Sequence, residues 1–140
     1  MIVSTKGRYA LRVMIDLAVY GEGRYVPLAE IAGRQGISEK YLESILVVLS
    51  RAGCLLALRG KGGGYRLARE PEAYTAGEII RLVEGTLAPV SCMKDGESCA
   101  RAGECPTRPM WKGLDRVIAE YLDGWTLALL AENARKEAER

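Results

Sequence analysis

Three of the four cysteines, Cys92, Cys99 and Cys105, lie in one segment that shows no helical or strand-like pattern. In a chain that stays in the cytosol, clustered cysteines favour metal or redox chemistry over structural disulfides. The absence of a Cys-x-x-Cys pair disfavours a zinc site. The wider C-x6-C-x5-C spacing suits thiolates wrapped around an iron–sulfur cluster, and Pro106 after the last cysteine is typical of ferredoxin-type ligation. A reactive thiol switch and three unrelated exposed cysteines are the alternatives.

The amino-acid composition excludes several kinds of catalysis. The chain has no histidine, so the commonest general acid/base and nitrogen ligand for metals is missing. Ser-His-Asp and Cys-His catalysis are therefore excluded. No nucleophile stands beside a candidate base, and we expect no enzyme activity. The fourth cysteine, Cys54, lies between a predicted helix end and an apolar strand, so we expect it to be a small buried residue.

Residues 28–68 predict a helix-turn-helix followed by a β-hairpin. Gly36 closes the first helix where the turn needs a positive φ, and the apolar Ile37 fills the gap before the second helix. Such a pair can place its second helix in the major groove of DNA, with its first turn facing the base edges. An ordinary helical hairpin with a solvated face is the alternative. The predicted contacts are Ser38, Lys40 and Tyr41, as donors to phosphates, and Glu43, as an acceptor for a cytosine amino group.

A glycine-rich loop, residues 60–64, connects the two predicted strands. With almost no side chains in the way, Gly62 and Gly63 can approach a phosphate backbone closely, flanked by the charges of Arg59 and Lys61. Arg59 could enter a narrow minor groove, where negative potential is concentrated. A nucleotide-binding P-loop is disfavoured, because these glycines lead into a strand and no Ser or Thr follows the lysine. A plain hairpin turn is the alternative.

A mainly α fold with a small β-hairpin wing must position these residues. Strands are predicted at 55–59 and 65–68, and N-caps at Ser4 or Thr5, Ser38, Thr75 and Thr126. The predicted helices cover 5–20, 28–35, 39–52, about 75–84, 109–123 and a last stretch after Thr126. We predict three units: a winged helix-turn-helix domain at 1–85, a cysteine-bearing sensor loop at 86–106, and a dimerisation helix with a C-terminal tail at 107–140.

The helix predicted over 109–123 carries a large apolar stripe between Trp111 and Trp125. Packing into the core of the same chain is one interpretation. The other is an antiparallel contact with the same helix of a second chain. DNA readers with two-fold symmetry need such a contact, because one winged domain holds too few base contacts for useful specificity.

The formal net charge of +2 is unevenly distributed between the two halves of the chain. Residues 1–70 hold 11 Lys and Arg against 6 Asp and Glu, whereas residues 71–140 hold 9 against 12. A basic first half indicates that this half meets a polyanion. No apolar run approaches the roughly 18–20 residues that a bilayer span needs, and the N-terminus has no signal-peptide pattern. We therefore expect a cytoplasmic protein without a membrane partner.

Taken together, these motifs resemble a known family, the bacterial winged-helix regulators of the IscR, NsrR and CymR type. The resemblance extends from Met1 to about Asn133. It implies a homodimer that binds a palindromic operator in double-stranded DNA through the helix beginning at Ser38 and the wing at Arg59. Further DNA contacts are predicted at Ser4, Lys6 and Arg8. The matching stretches are residues 4–10, 36–43, 59–65 and 75–80 together with the cysteine segment.

The resemblance also implies that Cys92, Cys99 and Cys105 ligate a [2Fe–2S] or [4Fe–4S] cluster. IscR-type members have a histidine as fourth ligand three residues after the third cysteine, where this chain has Arg108. The nitric-oxide sensors use an acidic residue near the N-terminus, and Arg8 occupies the comparable stretch. The fourth ligand stays open; the candidates are Asp95, Glu97, Glu104, an external thiol and solvent.

We therefore predict a sequence-specific DNA-binding transcriptional regulator, a repressor, that responds to an iron–sulfur cluster held by three cysteines. Two alternatives to this function remain open. Residues 1–90 resemble CymR, which lacks these cysteines, so the chain could repress cysteine or sulfur metabolism without a cluster. Thiol redox state or a partner enzyme of cysteine synthesis would then control it. The second alternative is a small iron–sulfur electron-transfer or carrier protein, which the basic first half disfavours.

Overall fold

The structure is a computed structural model that describes residues 3–94 and 99–140. Within these residues it contains helices, one two-stranded β-hairpin and short 3₁₀ turns at Pro71–Ala73 and Ser91–Met93. The hairpin consists of β1 (Leu55–Leu58) and β2 (Gly64–Leu67). The helices are α1 (Thr5–Tyr20), α2 (Leu28–Gln35), α3 (Glu39–Arg51), α4 (Ala76–Glu84), α5 (Arg108–Asp123) and α6 (Leu127–Ala138). The predicted mainly α fold with a hairpin wing is confirmed.

Side-chain caps fix where four of the helices begin. Ser4, Ser38, Thr75 and Thr126 each accept a hydrogen bond from the backbone N–H three residues on. Each cap satisfies one of the N–H groups that the first turn of a helix leaves without a partner. At the other end of α2, Gly36 adopts a φ of 64°, the left-handed conformation that the turn requires. The predicted caps are confirmed, with Ser4 rather than Thr5 capping α1.

The core lies between α1, α3, α4 and α6, with the first strand of the wing against it. Leu127 and Ala131 of α6 are buried, and α6 packs along α1. Cys54 is buried as predicted. The other large apolar side chains that are no more than 2% exposed are Val13, Met14, Leu17, Val26, Ile31, Leu42, Ile45, Leu46, Leu49, Tyr74 and Ile79.

The wing is an antiparallel hairpin with Leu55 opposite Leu67 and Leu58 opposite Gly64. It is attached to the body through an isolated bridge between Val26 and Tyr65. The Tyr74 hydroxyl adds a second attachment: it accepts from the N–H of Ala68 and donates to the carbonyl of Cys54. The base of the wing is therefore held from two sides, while the tip extends from the body.

The start of α4 and the end of α5 form a tight joint. The guanidinium of Arg81 donates to both carboxylate oxygens of Asp123, at 2.8 and 3.0 Å. The Asp123 carboxylate lies against Gly77 and fills the space that a Cβ on this residue would occupy. Two backbone hydrogen bonds, from Ala76 to the carbonyl of Trp125 and from Leu127 to the carbonyl of Tyr74, close the joint. The C-terminal end of α5 is thus fixed to α4.

None of the helices in the described ranges has the length and apolarity that a bilayer span requires. The segment predicted as irregular, 86–106, contains a 3₁₀ turn in its described part. Residues 95–98, which include the candidate ligands Asp95 and Glu97, lie outside the described residues. The division into three units stays a prediction.

Candidate nucleic-acid interface and cysteine segment

The first turn of α3 presents polar side chains to solvent. Ser38, Lys40 and Glu43 are exposed. Tyr41 is half-buried, because its ring packs edge-on against Tyr9 with the centroids 5.9 Å apart. The Ser38 hydroxyl accepts from the N–H of Tyr41 at 3.2 Å, which leaves its own proton free to donate. Among the predicted α3 contacts, Tyr41 is the most constrained.

A buried ion-pair network holds the turn that precedes α3. The carboxylate of Asp16, fully buried in α1, receives two hydrogen bonds from Arg34 at 2.8 and 3.0 Å. It receives a third from the side-chain amide of Gln35 at 2.8 Å. Arg12 donates in turn to the side-chain and backbone oxygens of Gln35. The end of α2 is thereby fixed to α1, immediately before Gly36 and Ser38.

The Arg34 guanidinium, which binds Asp16 on its buried side, also pairs with a carboxylate at the protein surface. Arg34 donates to Glu30 at 2.6 Å, and Arg24 donates to the same carboxylate at 2.7 Å. These hydrogen bonds lower the pKa of Glu30 to about 2. The Arg34 guanidinium also lies over the ring of Tyr20, 4.5 Å from its centroid.

The tip of the wing is exposed from Arg59 to Gly62. Gly63 and Gly64 allow the close backbone contacts of the hairpin. A Cβ on Gly63 would meet the carbonyl of Leu58, and one on Gly64 would meet the backbone of Val26. Gly64 also has a φ of 148°. The hairpin therefore requires glycine at both of these positions. Arg59 and Lys61 are the cations of its tip, and neither makes an ion pair with another described residue.

The three predicted N-terminal contacts differ in their surroundings. Both the N–H and the hydroxyl of Ser4 donate to the carboxylate of Glu84, at the end of α4. The Ser4 hydroxyl also accepts from the N–H of Gly7. Arg8 is exposed and Lys6 is half-exposed in the first turn of α1. The two cations, rather than Ser4, are available to a phosphate.

The three clustered cysteines occupy different local settings. Cys92 is half-buried in a 3₁₀ turn, and Cys99 is exposed. Cys105 lies just before α5, with its sulfur 3.2 Å from the hydroxyl of Thr107. Hydrogen bonds from that hydroxyl and from the backbone N–H groups of Thr107 and Arg108 lower the pKa of Cys105. The charge of Arg108 acts in the same direction.

Thiolate sulfur is the donor that iron–sulfur clusters use, so the donor chemistry of the segment fits such a group. The geometry of the described residues does not fit it, because they contain no group of three Cys, His, Asp or Glu side chains placed to hold a metal ion. Holding a cluster would therefore require Cys92, Cys99 and Cys105 to come together in an arrangement that this structure does not show.

The surface of α5 carries an apolar stripe. Met110, Leu114, Val117 and Tyr121 are 57%, 40%, 56% and 64% exposed, and their spacing puts them on one side of the helix. No residue of α5 is buried in the single chain. Packing within the chain therefore leaves Leu114, Val117 and Tyr121 of the predicted stripe exposed, together with Met110, whereas its two ends, Trp111 and Trp125, are half-buried.

The model of the Rrf2 family, described as "Iron-dependent Transcriptional regulator", matches residues 3–133. The chain belongs to the Rrf2 family. It is 38% identical over 134 residues to the HTH-type transcriptional regulator IscR of Aliivibrio salmonicida, covering 95% of this chain and 79% of that protein. The structure of CymR, titled the global cysteine regulator of B. subtilis, has a TM-score of 0.78 at 40% identity, covering 95% of this chain and 98% of that one. The T. potens IscR structure has a TM-score of 0.73 at 39% identity, covering 96% and 88%.

Membership of the Rrf2 family makes the chain a winged-helix transcriptional regulator, and regulation by DNA binding follows from it. The predicted resemblance to IscR and CymR is confirmed by both the sequence and the structural relatives. These relatives are named as regulators rather than as enzymes or electron carriers.

Sequence reasoning missed the residues that position the Rrf2 helix-turn-helix. Asp16 is the clearest case, and it left a signal: an acidic residue on the helix face that carries Val13 and Leu17. A carboxylate in such a position needs a buried cationic or donor partner. Its partners Arg34 and Gln35 lie 18 and 19 residues away, and no local pattern links them to it.

Proposed function

We propose that the chain is a homodimeric repressor that reads a palindromic operator through α3 and the wing. The observation that carries this proposal is the exposed first turn of α3, held in place by the Ser38 cap and by the Asp16–Arg34 network. A rigid element presents its polar side chains in one geometry, which base readout requires. The predicted contacts are Ser38, which caps α3, and Lys40, Tyr41 and Glu43 in its first turns, with further phosphate contacts from the wing and from α1.

The apolar stripe of α5 supports the dimer. Four large side chains on one face of a helix that has no buried residue form the kind of patch that marks a protein interface. Pairing of this stripe with its copy would give an isologous contact, in which the same surface serves both chains. Two α3 helices related by that two-fold axis would match a palindromic site.

The control proposed here acts through the cysteine segment. Cys92, Cys99 and Cys105 would hold an iron–sulfur cluster, in line with the family description as iron-dependent regulators. When bound, the cluster would supply iron–thiolate bonds that link the three cysteines. Cys105 lies three residues before the start of α5, so these bonds would fix the position of the start of the proposed dimer helix. A hundredfold change in operator affinity requires about 2.7 kcal/mol.

A cluster-free thiol switch is the second candidate, and the environment of Cys105 favours it. The lowered pKa raises the thiolate fraction of Cys105 near neutral pH, and the thiolate is the form that oxidants attack. The relative from B. subtilis is named as a global cysteine regulator, which supports cysteine supply as the signal. A partner enzyme could deliver the same signal without a cluster.

One experiment separates the two candidates. The protein is purified without oxygen, its iron and sulfide are assayed, and operator binding is measured before and after cluster loss. Cys92→Ser should lower both the iron content and the cluster-dependent part of the affinity. Cys54→Ala is the matched control, since it removes a thiol outside the segment. A colourless, iron-free protein would reject the cluster and leave the thiol switch.

DNA contact by the wing is tested separately. Arg59→Ala should weaken operator binding and reduce the slope of log K against log salt by about one unit, as expected for one lost phosphate contact. Arg140→Ala removes an exposed arginine at the far end of α6 and should leave the slope unchanged. Equal slopes for the two variants would remove Arg59 from the interface.

A further inference from the structure

A cleft of about 640 Å³ opens at the base of the wing. Its walls are the end of α1, the turn at 21–24, the second half of β2 and residues 69–71. None of these residues is among the predicted DNA contacts or the clustered cysteines. The volume falls in the range of small-molecule sites.

One cation on the wall of the cleft lacks an ionic partner. Three arginines line it, and two of them are paired: Arg24 with Glu30 at 2.7 Å and Arg69 with Glu78 at 2.6 Å. Arg66 makes no ion pair with any residue that the structure describes. Its Nη1 donates to the carbonyl of Gly23 at 3.2 Å, and its guanidinium lies over the Tyr25 ring.

The Nε of Arg66 is buried and has no hydrogen-bond partner in the described part of the chain. Burying a donor of a charged group without an acceptor is costly, and native proteins avoid it unless water or a ligand completes the site. The contacts with Gly23 and Tyr25 hold the guanidinium in a fixed position. Arg66 is therefore a cation held in place at the cleft wall, with one donor, the Nε, that no acceptor of the described residues satisfies.

Two carboxylates line the same cleft. The side chains of Glu22 and Glu70 are exposed, and neither makes a hydrogen bond or ion pair with another described residue. Glu22 has a φ of 49°, unusual for a residue with a side chain, in the turn that follows α1. The cleft thus combines one unpaired cation with two unpaired anions.

We propose that this cleft binds a free α-amino acid in its zwitterionic form. The ligand carboxylate would accept from the Arg66 guanidinium, whose planar donors match a carboxylate. The ligand ammonium would face Glu22 and Glu70. Phosphate and other multiply charged anions fit less well, because the two glutamates repel them. Since β2 forms one wall, an occupied cleft would also brace the wing.

The test is a calorimetric titration of the full-length protein with the common L-amino acids, one at a time. The tightest of them is then compared with its N-acetyl derivative, which lacks the ammonium, and its methyl ester, which lacks the carboxylate. Acetate and inorganic phosphate are titrated as simple anions. The expected result is saturable binding of the amino acid, and binding about tenfold or more weaker for each of the other compounds.

Variants identify the site. Arg66→Gln and Glu70→Gln should each weaken the binding of that amino acid by about tenfold or more. Arg140→Gln, at an exposed position after the end of α6, and Glu72→Gln, outside this cleft, are the matched controls and should bind as the wild type does. Circular dichroism checks that each variant is folded, and Glu70, being exposed and unpaired, tests the site even if Arg66→Gln unfolds.

Three outcomes would overturn the proposal. The first is that no amino acid binds to the wild-type protein. The second is that the N-acetyl derivative, acetate or phosphate binds as tightly as the amino acid, which would leave an anion site only. The third is that Glu70→Gln, or a folded Arg66→Gln, binds the amino acid with wild-type affinity. None of these measurements involves DNA or iron, so they are independent of the proposed repressor function.

Discussion

Replacing Asp16 by asparagine should lower the free energy of unfolding by about 3 kcal/mol, because it removes one partner of a buried ion pair. The Asp16 carboxylate has no exposed surface and accepts three hydrogen bonds, two from Arg34 and one from Gln35. An asparagine amide would keep one acceptor oxygen and turn an NH₂ group toward donors. Loss of one partner of such a pair costs about 3–5 kcal/mol. The lower end applies here, since Arg34 is 26% exposed and water can solvate part of its charge.

The measurement is urea unfolding followed by circular dichroism, at one protein concentration for all variants. Glu30→Gln is the matched control, because Glu30 is the other carboxylate that Arg34 contacts, at 2.6 Å, and it lies at the surface with 35% exposure. Exposed pairs of this kind contribute little, since water and salt screen them. Glu30→Gln should therefore unfold close to the wild type, while Asp16→Asn unfolds at clearly lower urea.

A loss of stability in Asp16→Asn no larger than that in Glu30→Gln would refute the reasoning. It would mean that the buried network adds nothing beyond an ordinary surface pair. A further comparison uses Arg34→Gln, which removes the cation from both carboxylates. If burial is what makes the Asp16 pair strong, combining Asp16→Asn with Arg34→Gln should cost less than the sum of the two single substitutions.

Three further predictions concern other parts of the chain. Alkylation of Cys105 should show a pH midpoint below that of an unstructured cysteine peptide, and Thr107→Val should raise the midpoint, since the Thr107 hydroxyl is the main cause of the lowered pKa. The hydrogen bonds from Arg81 lower the pKa of Asp123. The stability that this pair gives is therefore present above the pKa of the unfolded state, near 3.8, and is lost as the pH falls below that value. In unfolding curves measured over a pH series, Asp123→Asn should remove this acid-dependent loss of stability. Ser38→Ala should cost about 1 kcal/mol in thermal unfolding, because it removes the N-cap of α3.

Features that depend on near neighbours in the chain could be predicted from the sequence. The caps at Ser38 and Thr126 each act on an N–H three residues away, so the residue type and its position before an apolar run are sufficient. The left-handed Gly36 and the strands around the glycine loop are also local features. The apolar stripe of α5 was visible as a period, although the period alone did not distinguish core packing from a second chain.

Contacts between distant residues could not be predicted in this way. Arg34 and Asp16 are 18 residues apart, Arg81 and Asp123 are 42 apart, and Ser4 and Glu84 are 80 apart. Which charged residues meet depends on how the helices pack, and a single sequence carries no pattern for that. The same reason explains why Ser4 could be predicted as a DNA contact although its hydroxyl is engaged by Glu84.

One helix connects the parts that the proposed function requires to act together. Three charged residues of α4, each separated by three positions, contact three different elements: Glu78 pairs with Arg69 at the base of the wing, Arg81 with Asp123 at the end of α5, and Glu84 with Ser4 at the start of α1. A movement of α5 against the body must therefore displace α4 or break the Arg81–Asp123 pair. If α4 moves, the wing and the first turn of α1, which carry the predicted phosphate contacts, move with it. In the proposed function, a change at the cysteine segment, which leads into α5, would therefore reach the predicted DNA contacts through α4, without a rearrangement of the core.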